Sequence, residues 1–310
     1  MGTPEFAVGT LERLVNDKFN VVAVVTQPDK PVGRHQDTLQ PPAVKVFAQE
    51  HDIPVLQPVK MKDEQFVADL KSYEADIFVV VAFRMLPEVV WSMPRFGTFN
   101  VHAALLPQYR GAAPINWAII NGEKQTGVTT FFLDHDIDTG RIIMKKTFDI
   151  ADDYNVENVY DGLMALGADI AVETLEKVIA TDGNLDTIAQ EETVSEEELA
   201  NLKPAPKIFR ETCEINWQQS CKQVYNFIRG LSPIPGAWTN FTKGAKPTVM
   251  KIYKASKTEK SCEGYEPGDV IVENKQLLFA TTDKFLSVDV LQVQGKKRTE
   301  AKDFLNGFRM

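Results

Sequence analysis

Apolar positions along the first 183 residues follow two rhythms in turn. Near-continuous runs, NVVAVVTQ (20–27) and ADIFVVVAF (75–83), read as strands buried on both faces, and TFNVH (98–102) as a shorter third. Between them, helical spacing holds over 4–16, 42–51, 63–73 and 113–121. QTGVTTFFLD and GRIIMKKTFDI predict two more strands, with 134–140 as their connection. Val156, Val159, Leu163, Leu166, Ile170, Leu175 and Val178 then keep a helical period over 155–180. Strands alternating with helices predict an α/β domain built on a parallel sheet.

Residues 184–206 carry acidic side chains, prolines and few large apolar groups, the pattern of a linker. INWQQSCKQVYNFIRGL (215–231) predicts one helix. Short runs follow, TVMKIYKAS, GDVIVEN, QLLFATT and FLSVDVLQV, separated by Gly and Pro turns. Several short strands after a single helix predict a small β-barrel. The expected division is therefore 1–183 as the α/β domain, 184–206 as linker and 207–310 as a barrel domain. The chain's opening sits awkwardly in this scheme. MGTPEF has the Thr cap, Pro and Glu of a helix start, yet no strand precedes it. A doubly wound sheet places its first strand centrally, so the true start is expected several residues upstream.

Composition narrows the class. With 310 residues, 44% hydrophobic and a quarter charged, the chain has the make-up of a soluble two-domain protein of the cytoplasm. No apolar run reaches the roughly 20 residues that span a bilayer. Cys213, Cys221 and Cys262 have no C-x-x-C spacing, which reads as reduced structural thiols. The net charge is −9, unevenly spread. From Lys203 to Met310 there are 18 Lys+Arg against 11 Asp+Glu, or +7. Of the totals of 34 and 43, the first 202 residues keep 16 and 32, or −16. A basic C-terminal part on an acidic protein points to a bound polyanion, or to a solvated basic face.

Chemistry enters at two places. Asn100 and His102 alternate onto one face at the end of a predicted parallel strand, where open α/β sheets carry their ligand crevice. Asp138 lies in DHDIDTG, a short acidic turn after another strand, whose glycine lets the backbone fold back tightly. If that turn reaches the same crevice, a carboxylate meets and orients the imidazole. No cluster of His, Cys and carboxylates has ligand spacing, so no metal is expected. MGTPEF is no G-x-G-x-x-G, and no acidic residue ends the second strand, which sets aside a nicotinamide-dependent dehydrogenase.

Asn-x-His-x-x-Leu-Leu-Pro-x-Tyr-Arg-Gly followed by Asp-Thr-Gly resembles the 10-formyltetrahydrofolate-dependent formyltransferases, whose catalytic domain is Rossmann-like. Within them MGTPEFAV, VVTQPDKPVGR, RGAAPINWAIINGE, TGVTTFFLD and INW…IRGLSPIPGAW are similar to the methionyl-tRNA formyltransferase family, over essentially the whole chain. The resemblance implies formyl transfer from 10-formyltetrahydrofolate to the amino group of initiator methionyl-tRNA, by a monomer with an OB-like C-terminal barrel. It implies that Asn100 and a protonated His102 donate to the growing oxyanion, and that Asp138 orients and charges His102 and helps remove the ammonium proton. It assigns folate contact to Ala104, Leu105, Leu106 and Pro107, and to Arg84, Met85 and Leu86. Two departures bear on that contact. Ala104 stands where the family commonly has serine, and AFRMLP (82–87) replaces the more usual Ala-Tyr-Gly.

For the tRNA, TQPDKPVGRHQDTLQPP (26–42) is far longer than the roughly 2–6 residues of an ordinary βα loop. It holds Lys30, Arg34 and His35, and the resemblance aligns Arg34 with the arginine that engages the acceptor end. Beyond it, Lys203, Lys207, Arg210, Lys243, Lys246, Lys251, Lys254, Lys296, Lys297 and Arg298 are candidate phosphate contacts. The rival readings are a formyltransferase acting on an amino-sugar nucleotide, and an inactive tRNA-binding protein on a transferase scaffold. The proline-rich basic insertion and the basic C-terminal part weigh against the first. The intact Asn100, His102 and Asp138 weigh against the second.

Overall fold

Helices form where the 3.6-residue period runs and strands where it stops. The computed structural model describes residues 1–32, 38–243 and 246–306, without the side chains of 242, 243, 246 and 247. In chain order the elements are α1 (Glu5–Asn16), β1 (Val24–Val25), β2 (Lys30–Val32), β3 (Thr38–Gln40), α2 (Ala43–Glu50), β4 (Val55–Leu56), α3 (Glu64–Ser72) and β5 (Phe78–Val81). Next come α4 (Glu88–Trp91), β6 (Thr98–His102), α5 (Pro114–Ile120), β7 (Gln125–Phe132), β8 (Ile142–Asp149), α6 (Val156–Ala180) and α7 (Glu196–Ala200). They are followed by α8 (Cys221–Leu231), β9 (Ala237–Lys243), β10 (Lys246–Ser261), β11 (Val270–Glu273), β12 (Gln276–Ala280), β13 (Lys284–Val293), β14 (Thr299–Glu300) and α9 (Ala301–Asn306).

These elements gather into two compact units. The first comprises 1–111, 126–149 and 160–204. Its β5 and β6 are parallel, as a βαβ alternation requires, and β7 then joins β6 antiparallel, with β8 beyond it. β1 and β4 make a separate parallel pair. The run 20–27 is thus a strand over Val24–Val25 alone. A cavity of about 530 Å³ lined by Val21, Ala23, Ile77, Val79 and Leu175 lies beside it. At the end of this cavity the Gly2 N–H donates to the Val25 carbonyl at 3.0 Å, and Gly2 pairs in parallel with Val81.

The second unit comprises 112–125, 150–159 and 205–310. Its antiparallel sheet runs β11-β12-β13-β10-β9, with β14 on β13. The core beneath it is built from Val224, Ile228 and Leu231 of α8 and from Met250, Ile252, Leu277, Phe279 and Leu291. The helix expected over 215–231 begins only at Cys221. Ser220 and Gln223 form a reciprocal capping box that fixes the start there, while the Ile215 N–H donates to the Trp238 carbonyl at 2.8 Å. All three cysteines are buried and unpaired with one another, and burial pushes the Cys213 and Cys221 thiols up from their ordinary value.

Candidate active site

The alternation along β6 sorts its side chains. Phe99 and Val101 are buried on one face, while Asn100 and His102 share the other. Because β6 lies between β5 and β7, its backbone is held on both sides up to the point where the chain turns away. The turn that follows is fastened from below by Thr129 of β7. Its hydroxyl donates to the Ala104 carbonyl at 2.7 Å and accepts from the Leu106 N–H at 3.1 Å. From the linker side, the Tyr109 N–H donates to the Lys203 carbonyl at 2.8 Å, and the Lys203 N–H donates to the Gln108 side chain at 2.9 Å.

His102 is 6% exposed and is held at one of its ring nitrogens. Nε2 lies 2.9 Å from the Tyr109 carbonyl, which can only accept, so this nitrogen carries a proton. Nδ1 faces the Asp138 carboxylate at 3.8 Å, a separation for charge pairing and too long for a hydrogen bond. The Asp138 Oδ2 instead accepts from the Gly111 N–H at 3.0 Å. Nδ1 is therefore the ring position open to gain or release a proton beside an anion. The Asn100 amide, half-buried next to this pair on β6, makes no hydrogen bond among the described residues. It is free to donate to an oxygen brought to it.

The two segments assigned to the folate leave the C-terminal ends of neighbouring parallel strands, 82–87 after β5 and 103–107 after β6. They therefore flank the same sheet edge, where a ligand crevice opens in α/β folds. Within them the side chains divide. Ala104, Leu106 and Leu86 are buried in the core and can offer a ligand only backbone, whereas Met85 is 66% exposed and Phe83 and Leu105 are half-buried. Arg84 is turned inward, its guanidinium donating to the Pro58 carbonyl and, at 3.0 Å, to the Val59 carbonyl. Burial lowers the pKa of Arg84 from its ordinary value. Ala82 carries a positive φ of 47°, which bends the chain as it leaves β5.

Of the tRNA candidates, Arg34 and His35 lie outside the described residues, and the side chains of Lys243 and Lys246 are likewise not described. Lys30 is exposed at the start of the β2–β3 hairpin. Lys207 and Arg210 are exposed in the second unit, the Lys207 ammonium 5.4 Å from the Phe209 ring centre. Lys296, Lys297 and Arg298 are exposed together, with the Arg298 guanidinium 4.2 Å from the Tyr253 ring centre. Lys251 donates to the Pro235 carbonyl at 2.8 Å, a contact that holds the SPIPG turn.

Sequence reasoning overlooked two residues of this site. Thr129 was hidden in a run of apolar and β-branched positions, and Gln190 in a segment whose composition reads as linker. Neither carries a motif. Only the hydrogen bonds they make reveal them.

Residues 1–175 match the family model described as Formyl transferase, and residues 207–309 match the one described as Formyl transferase, C-terminal domain. The chain belongs to the formyl transferase family. Among curated family members, a methionyl-tRNA formyltransferase of Parabacteroides distasonis is 53% identical over 100% of this chain and 94% of its own length. Among solved structures, an N-formyltransferase from Helicobacter canadensis, in complex with folinic acid and dTDP-3-aminofucose, is 19% identical at a TM-score of 0.65. That likeness covers 96% of this chain and 97% of the other. HypX from Aquifex aeolicus, in complex with tetrahydrofolic acid, is 21% identical at a TM-score of 0.57. It covers 84% of this chain, which spans only 43% of HypX. At such identities the two structures speak to the shared fold, while the full-length likeness to a methionyl-tRNA formyltransferase separates this chain from the sugar-modifying branch.

Proposed function

We propose that the chain moves a formyl group from a folate-type donor, 10-formyltetrahydrofolate, onto the amino group of methionine esterified to initiator tRNA. The observation that carries this reading is the unpartnered Asn100 amide beside a buried imidazole that faces a carboxylate, in a chain 53% identical to a methionyl-tRNA formyltransferase along its whole length. The methionyl amine attacks the formyl carbon, forming the C–N bond and sending the carbonyl electrons onto oxygen. Asn100 donates to that growing oxyanion. The new ammonium must lose a proton before the adduct can collapse toward product. His102 Nδ1 accepts it, directly or through water, and Asp138 balances the imidazolium so created. Collapse restores the C=O bond and breaks the bond to N10 of the donor, which leaves with the proton returned by the His102 imidazolium, directly or through water. The segments 82–87 and 103–107 border the crevice for the donor, with exposed Met85 and half-buried Phe83 as its apolar surface. Lys30, Arg34 and the basic side chains of the second unit supply contacts to the tRNA.

The test is incubation of pure protein with methionyl-initiator-tRNA and 10-formyltetrahydrofolate, with a 4-amino-4-deoxyarabinose nucleotide as competing acceptor. Formylation of the tRNA is expected, and formylation of the sugar alone would overturn the reading. His102→Ala and Asn100→Ala are each expected to lower kcat about 100- to 10,000-fold while leaving tRNA affinity within about twofold. A His102→Ala enzyme with unchanged kcat would remove the imidazole from the mechanism.

A further inference from the structure

Gln190 is fully buried, although Glu191 and Glu192 beside it are exposed. Its backbone is anchored two residues earlier, where Ile188 and Ile142 exchange hydrogen bonds of 3.1 and 2.9 Å. The side chain has no spare capacity. Both amide protons are used, one to the Asp138 carbonyl at 2.8 Å and one to the Gly140 carbonyl at 2.9 Å. The amide oxygen takes both the Nε and Nη2 protons of Arg110, at 3.0 and 2.7 Å. Arg110 follows Tyr109, whose carbonyl holds His102 Nε2. A single side chain thus joins the backbone that supplies the Asp138 carboxylate to the residue next to the one gripping the imidazole. Asp138 needs such restraint, since its φ of 56° is a left-handed conformation that a non-glycine residue keeps only when its surroundings impose it.

We propose that Gln190 is a positioning residue for formyl transfer, holding the Asp138 carboxylate in register with His102. The inference rests on the reading of Asp138 and His102 given above. Glutamine suits the task for a definite reason. An amide presents two donors to the two carbonyls and an acceptor to the guanidinium, without adding a second anion to the Glu191 carboxylate that already lies 3.5 Å from Arg110 Nη2. Glutamate has nearly the same shape and keeps the acceptor. It loses both donors and sets a negative charge against two carbonyl oxygens.

The experiment compares wild type, Gln190→Glu, Gln190→Met, Asp138→Asn and the double variant Gln190→Glu/Asp138→Asn. Each is measured for kcat, for KM with both substrates, for Tm, and for the ¹⁵N signals of the His102 ring. Gln190→Glu and Gln190→Met are expected to lower kcat 10- to 100-fold, with KM for tRNA within twofold, and to move the His102 signals. The double variant is expected to be no slower than Asp138→Asn alone, because both changes act on one carboxylate. Either Gln190 variant, folded, with wild-type kcat and unmoved His102 signals overturns the proposal. So does a double variant whose losses multiply. If Asp138→Asn itself turns over at the wild-type rate, the reading of the catalytic residues fails. If Asp138→Asn is slow while the Gln190 variants are not, only the role given to Gln190 fails. Should Gln190→Glu not fold, Gln190→Met, which brings no charge, decides.

Discussion

In the Asp-Thr-Gly turn the left-handed residue is Asp138, while Gly140 is not among the residues of positive φ. The glycine is needed for room. A methyl group built on it would lie 1.7 Å from the Phe132 carbonyl oxygen, a rigid backbone atom. Gly140→Ala is therefore expected to destabilise the protein by about 1–3 kcal/mol and to lower kcat by shifting Asp138. Denaturant midpoints and initial rates check this, and a variant as stable and as fast as wild type would show that the turn yields freely. The sequence pointed to the right residue for a different physical cause, since backbone freedom and backbone proximity select glycine alike. Asn100 and His102 were legible because strand alternation places i and i+2 on one face. Gln190 was not, because a saturated amide leaves no pattern among its neighbours in sequence.

Elements were readable wherever a single segment decides its own conformation. The capping box at Ser220 and Gln223 is such a local signal, but the expected helix over 215–231 overran it, and α8 starts at 221. Ser220→Ala is expected to cost about 1 kcal/mol of stability, seen as a lower denaturant midpoint by tryptophan fluorescence with kcat unchanged. An unchanged midpoint would mean that Gln223 and the packing of α8 hold the helix start unaided. Strands were harder to read, because a ladder needs a partner. The valines of 20–27 have every preference for extended structure, yet only two of them pair. Nor could composition tell that β7 would run antiparallel to β6, since the connection that carries α5 is long enough to serve either direction.

For the molecule as a whole, the charge imbalance makes a quantitative demand. If the +7 of residues 203–310 serves a polyanion, then kcat/KM for methionyl-tRNA should fall steeply with salt while KM for the folate stays nearly flat. For about four phosphate contacts, the loss between 50 and 200 mM salt is on the order of a hundredfold. Equal salt dependence for both substrates would leave the basic side chains as ordinary surface charge. Composition located this asymmetry, and by their contacts residues 112–125 and 150–159 gather with the second unit. There, Asn116 of α5 donates to the Gly230 carbonyl at 2.8 Å, and Gly230 is bare of a side chain where Ile120 presses against it. Buried Arg229 donates to the Ala151 and Tyr154 carbonyls at 3.3 and 2.8 Å. A gene split at the linker would therefore orphan the C-terminal half from its own roof. The severed piece would present naked apolar helix and a guanidinium stripped of its acceptors, so recombination in nature or in the laboratory has to carry three separate stretches of chain to transplant one working module.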